Sequence, residues 1–316
     1  MVERGKATRG KVAKAAAGAE QIEIKATVPN HQIVPALRRF GLTAHNDEER
    51  FIYFFDTPKL DLLGAGIITR ARRVIGDDHD STVKFRPVVP TDVGKEWRKY
   101  RGFKIEADAS ENGMVKSASF SMPVDKGLIK RVAAGKRSIA ALFTDEQEAF
   151  LATMADREID FSQLVVLGPL HAQRWEIKDP ACPWPMTVEL WRRSDGKRLL
   201  EVSIKTPVVQ AAAAIGGFMA FLAEVGAERD REQQTKTRWA LEFYAAKYAR
   251  PAGAARKAAG APKKAAKRAP ARSVARKPPS KGAKSAVAKG ASKSAKTAVT
   301  KAPRRRPPVA TRRRAA

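Results

Sequence analysis

Phe54-Phe55-Asp56-Thr57-Pro58-Lys59-Leu60-Asp61-Leu62-Leu63-Gly64-Ala65-Gly66-Ile67-Ile68-Thr69-Arg70-Ala71-Arg72 is the stretch on which the fold turns. The aromatic-rich run from Glu49 to Phe55 reads as a strand. Asp56-Thr57-Pro58 then ends it, because an Asp side chain can bond the backbone ahead of it and Pro fixes its own φ. A turn that shapes the strand exit is the role this assigns to Asp56. Gly66 to Ile75 reads as the next strand. Side chains two apart on a strand share a face, so Arg70 and Arg72 stand together, opposite Ile67, Thr69 and Ala71.

The same division recurs along the chain. Gln21, Glu23 and Lys25 oppose Ile22 and Ile24; Thr82, Lys84 and Arg86 oppose Val83 and Phe85; Lys104 and Glu106 oppose Phe103 and Ile105. Later, Arg174, Glu176 and Lys178 oppose Trp175 and Ile177, and Glu201, Ser203 and Lys205 oppose Leu200, Val202 and Ile204. Alternation of this kind admits two structures. One is a one-sided sheet whose charged faces meet water. The other is a barrel closed around its charges, where cations could surround a polyphosphate and a few carboxylates could hold a divalent metal.

Further strands are expected at Ser81 to Val88, Tyr100 to Ala107, Ala172 to Lys178, Met186 to Arg193 and Leu199 to Lys205. The last two are joined by the turn Ser194-Asp195-Gly196-Lys197. Helices are expected from Val34 to Phe40 behind an Asn30 cap, and from about Leu128 to Met154 with Thr144 and Gln147 spaced as a capping box. Two more are expected after Pro207, one to Val225 and one from about Arg231 to Tyr248. About eight strands with few strand-helix-strand alternations favour an α+β fold. Its centre would be a mainly antiparallel barrel or sandwich with flanking helices.

Charge divides the chain differently. Lys and Arg number 61 against 33 Asp and Glu, a net of +28, and from Pro251 onward all 21 charged residues are basic. That segment has no aromatic residue and no Leu, Ile or Phe, so burial cannot offset the entropy of ordering it. The expected organisation is a basic leader over 1–19, a folded domain over 20–248 and a disordered Lys/Arg/Ala/Pro-rich tail over 249–316. The tail is expected to bind DNA, RNA or polyphosphate without sequence preference. In composition alone it resembles the tails of linker histones. One cysteine, Cys182, excludes an internal disulfide. The uncharged stretch Ala211 to Ala223 is too short to span a bilayer. A soluble cytoplasmic protein without membrane contact, associated with nucleoid or polyphosphate through its tail, is the expectation.

The quoted stretch resembles the YFDTPDLxLxxxGxxLRxR signature of CYTH domains, the superfamily of class IV adenylyl cyclases, thiamine triphosphatases and inorganic triphosphatases. Gln21-Ile22-Glu23-Ile24-Lys25 stands where that family has ExExK, Thr82-Val83-Lys84 where it has a TxK strand, and Glu201-Val202-Ser203-Ile204-Lys205 where it has ExExE or ExExK. Thr235-Lys236-Thr237-Arg238 is similar to a late SK segment. The resemblance covers most of residues 20–248, except 110–156. It implies an eight-stranded closed β tunnel with a charged interior. It further implies that Lys25, Arg70, Arg72, Lys84, Arg174 and Lys236 bind phosphate. Glu23, Glu176, Glu189 and Glu201 become candidate ligands for Mg²⁺ or Mn²⁺, with Glu23 and Glu201 the candidate catalytic carboxylates. The implied ligand is a triphosphate or inorganic polyphosphate, and the implied reaction is metal-assisted attack of water on a terminal phosphoryl group. Class IV cyclase activity is less expected, because no adenine or ribose contacts are recognisable.

Two residues depart from the pattern. Gln21 and Ser203 stand where the family has glutamates, and each removes a negative charge and a strong metal donor. A degenerate tunnel that holds phosphate without hydrolysing it is the alternative this leaves. The four histidines, His31, His45, His79 and His171, show no metal-binding spacing.

Overall fold

Nine strands, one more than expected, close into a barrel in the order β1-β5-β6-β4-β3-β2-β7-β8-β9. The computed structural model describes residues 17–19, 21–110, 113–227 and 235–248, all within one compact unit in Met1–Gly260. The expected leader and tail fall outside the described residues, apart from 17–19. The strands are β1 (Gln21–Val28), β2 (Glu48–Asp56), β3 (Ile67–Val74), β4 (Asp80–Phe85), β5 (Phe103–Ser110), β6 (Gly113–Pro123), β7 (Val165–Asp179), β8 (Cys182–Arg192) and β9 (Arg198–Thr206). Every neighbouring pair is antiparallel except β1 with β5.

The unexpected strand is β6. Its inward row, Val115, Ser117, Ser119 and Ser121, is small and uncharged, so the contrast between faces that marks the other strands is weak here. Pairing with β4 and β5 stabilises it instead, placing Ser121 across from Thr82 and Ser119 across from both Lys84 and Lys104.

Among the described residues, six helices accompany the barrel: α1 (Ile33–Arg39), the single turn α2 (Asp61–Gly64), α3 (Lys126–Ala133), α4 (Asp145–Ala155), α5 (Ala211–Glu224) and α6 (Lys236–Ala245). The stretch expected as one helix from Leu128 to Met154 is thus two, broken at Gly135, whose φ is +70°. The capping box of Thr144 and Gln147 is formed at the start of α4. Gln147 is fully buried and also bonds Ser81 O at 3.2 Å and Phe120 O at 3.0 Å, which ties α4 to β4 and β6. Asn30 does not cap α1; it opens a short 3₁₀ turn, and no side chain caps either element.

Asp56 shapes the strand exit as expected. Its carboxylate, 1% exposed, accepts from the backbone N–H groups of Thr57, Leu62 and Leu63, which fixes α2 against the end of β2.

The outward strand faces form two apolar layers. One, with Ile22, Ile24, Val188, Val202 and Ile204, packs on Ala211, Ala214, Phe218 and Phe221 of α5. The other, with Val83, Phe85, Phe103 and Phe120, packs on α3 and α4 around Phe150. A third cluster lies inside the barrel: Ile52, Phe54, Leu170 and Trp191 pack on Ala240, Leu241 and Tyr244 of α6. One end of the barrel is therefore stoppered by α6. Among the described residues, no helix is long and apolar enough to cross a membrane.

Candidate functional site

Closure turns the charged rows inward around a cavity of about 340 Å³. Its cations are Lys25, Arg70, Lys84, Arg86, Lys205 and Lys236, and its carboxylates are Glu23, Glu106, Asp108, Glu189 and Glu201. Strand register explains the arrangement. Glu189 on β8 lies across from Glu201 on β9, and Glu201 across from Thr27 on β1. Glu23, Glu189 and Glu201 thus occupy one wall of three adjacent strands. Arg70 on β3 and Lys84 on β4 occupy another, with Arg86 just beyond β4.

Asp108 is the hub between the walls. It is 3% exposed, and its carboxylate lies 2.9 Å from Lys25 Nζ, 3.0 Å from Arg86 and 3.8 Å from Lys84 Nζ. Burial alone would raise its pKa, but the three cations hold it well below the usual carboxylate range. Lys25 also pairs with Glu23 at 2.9 Å. Burial opposes its charge, yet Glu23 and Asp108 keep its ammonium well above the ordinary lysine value. Ser203 donates to the other oxygen of Glu23 at 3.2 Å.

On the carboxylate wall, Lys236 Nζ lies 2.7 Å from Glu201 and is also bonded to Glu189. Burial would raise the Glu189 carboxyl, but Lys236, Arg50 and Arg72 hold it well below its usual range. The cationic wall is different. Arg70 has no carboxylate partner among the described residues, and its Nε is buried without a hydrogen bond. Burial, with Arg72 as a like-charged neighbour, pushes its pKa down to about 10. Burial also lowers Lys84, more than Asp108 offsets.

The expected site residues are therefore not all together. Glu23, Lys25, Arg70, Lys84, Glu189, Glu201 and Lys236 line the cavity. Arg72 does not; it is bound to Asp80 at 2.8 Å. Arg174 shares the inward face, but its guanidinium is engaged by Glu48 and Glu176, and the Glu176 side chain is 70% exposed. Parity places a side chain on a face but says nothing of its depth along the barrel. Asp108 was not reached from sequence, and Arg86, Glu106 and Lys205 were placed on charged strand faces without being assigned a role. Asp108 continues the row Lys104, Glu106 on β5, but the strand was expected to end at Ala107, whereas it runs to Ser110.

The chain is similar to solved structures of candidate adenylate cyclases. One from Bacillus halodurans aligns at 15% identity over 70% of this chain and 97% of its own, with a TM-score of 0.49. A candidate adenylyl cyclase from Hippeastrum, reported to have a dominant triphosphatase activity, aligns at 18% identity over 68% of this chain and 92% of its own, also at 0.49. A third, from Vibrio parahaemolyticus, aligns at 14% identity with a TM-score of 0.36, over 70% of this chain and 97% of its own. No protein-family model and no curated protein sequence matches the chain. Such identities carry no activity across to this chain. In its signature and its closed, charge-lined barrel the chain resembles CYTH domains.

The donor set does not fit a resident divalent metal. Mg²⁺ and Mn²⁺ require several oxygen ligands. Among the described residues, no three His, Cys, Asp or Glu side chains come together to hold an ion. Glu176 does not line the cavity and its side chain is 70% exposed, Glu23 is engaged by Lys25 and Ser203, and Glu189 and Glu201 share Lys236.

Proposed function

We propose that the chain binds inorganic triphosphate or a short polyphosphate in its barrel. Arg70 and Lys84 would be the primary phosphate contacts, joined by Lys25, Arg86 and Lys236. The observation that supports this most is Arg70: a half-buried guanidinium that forms no ion pair among the described residues, has its Nε buried without a hydrogen bond, and is pushed down to about 10 by burial against the weaker attraction of Asp80 and Glu189. Desolvating a cation that lacks a direct ion-pair partner is costly, and an anion carrying several oxygens relieves that cost. Arg suits such a ligand because its planar fork can grip two phosphate oxygens at once, while Lys84 supplies a point charge. The α6 stopper favours a short anion or a chain end over a long polymer threaded through.

The same cations would stabilise charge on a phosphoryl group under attack by water. Holding and turnover are separated by two measurements on the full chain. Calorimetric titration with tripolyphosphate should show saturable binding that Arg70→Met weakens at least about tenfold, equivalent to 1.4 kcal/mol. A phosphate-release assay on the same samples reports hydrolysis. Unchanged affinity in Arg70→Met would remove the barrel as the binding site.

A further inference from the structure

Glu189 and Glu201 sit side by side in register on β8 and β9, and both face the cavity. Two carboxylates this close repel unless a positive charge bridges them. Lys236 supplies it: its Nζ is bonded to Glu189, lies 2.7 Å from Glu201, and stands 5.1 Å from the centre of the Trp191 ring. The ammonium is delivered from a fixed backbone. Lys236 is the first residue of α6, the helix whose Ala240, Leu241 and Tyr244 are packed into the barrel end. Glu23, the remaining carboxylate of that wall, has one oxygen on Lys25 and the other on Ser203. A metal ion entering between Glu189 and Glu201 would meet an ammonium already there, and like charges at such a distance repel strongly in a partly dry site.

We propose that Lys236 is a built-in counter-ion holding the place that a divalent metal would take between Glu189 and Glu201. The protein then binds no metal by itself, and any Mg²⁺ or Mn²⁺ enters only on phosphate oxygens brought by the ligand. This deepens the proposed function by assigning the cation of the carboxylate wall. Its test uses Mn²⁺ alone, so it stands or falls separately from phosphate binding.

The test is titration of the full chain with Mn²⁺, without phosphate, following the free-ion signal by electron paramagnetic resonance. Wild-type protein should leave that signal intact. Lys236→Met should bind one Mn²⁺ per chain at least about tenfold more tightly than wild type, and adding Glu201→Gln should abolish the gain. Lys236→Gln, which keeps a polar group at the same position, serves if the Met variant does not fold. One Mn²⁺ bound by wild type and released by Glu201→Gln would overturn the proposal. So would folded Lys236 variants that bind no more Mn²⁺ than wild type. If neither variant folds, the wild-type titration decides alone.

Discussion

Lys25 on β1 reaches Asp108 on β5 across the one parallel strand pair of the barrel, with 2.9 Å between Nζ and Oδ1. The pair is a junction, because Asp108 also faces Arg86 and Lys84 and Lys25 also holds Glu23. Removing the carboxylate leaves the half-buried Arg86 and Lys84 without their ion-pair partner, while Lys25 keeps Glu23. Asp108→Asn should therefore lower unfolding stability by about 3–5 kcal/mol, the usual cost of breaking one side of a buried ion pair. Urea unfolding measures this, and saturating tripolyphosphate should recover part of the loss. The native carboxyl is held below its unfolded value of about 3.9. Its contribution is therefore present above that pH and is lost as pH falls through the depressed native value.

Arg70 should show the opposite behaviour. Its folded pKa is pushed down to about 10, so its charge is disfavoured by the fold and opposes stability at neutral pH. Arg70→Met should make the ligand-free protein more stable while weakening tripolyphosphate binding. Urea midpoints with and without the ligand check both halves. A variant that is less stable without ligand would contradict this account of Arg70.

Gly66 connects the signature's geometry to its chemistry. Its φ is +75°, and a Cβ there would lie 2.5 Å from the carbonyl oxygen of Arg86. Its own carbonyl accepts the Arg86 N–H at 2.8 Å. Gly66→Ala should cost about 1–3 kcal/mol in backbone strain, and it should shift Arg86 as well. Loss of tripolyphosphate affinity beyond the loss of folded protein, by calorimetry at low temperature, is the expected outcome.

The basic tail is a separate proposal resting on composition. Truncating residues 251–316 removes 21 positive charges. It should abolish most retention on DNA-cellulose, and the full chain's binding should fall steeply with salt as counterions are released. Equal retention after truncation would place polyanion binding on the folded domain.

Much of this was legible because a closed barrel converts strand parity into inside and outside. The FFDTP turn, the pairing of Arg70 with Arg72 on one face, and the alternation through Lys25, Lys84 and Glu201 all describe local backbone geometry, which sequence expresses directly. What stayed hidden depends on depth and on partners distant in sequence. Arg72 and Arg174 obey the right parity but meet Asp80 and Glu48 instead of the cavity. Strand β6 was missed because its serines show little contrast between faces, and it forms through pairing with β4 and β5. The role of Lys236 depends on the docking of α6, an event that no local pattern records.

The most direct test of phosphate binding in the barrel is the melting temperature of the full chain with and without tripolyphosphate, in chelator. Only a ligand that prefers the folded state raises it; binding to a segment equally accessible in the unfolded chain contributes nothing. The account predicts a concentration-dependent rise, about 2.7 kcal/mol of stabilisation at a hundredfold excess over Kd, which is lost in Arg70→Met. No rise at millimolar tripolyphosphate, or an equal rise in Arg70→Met, would contradict it.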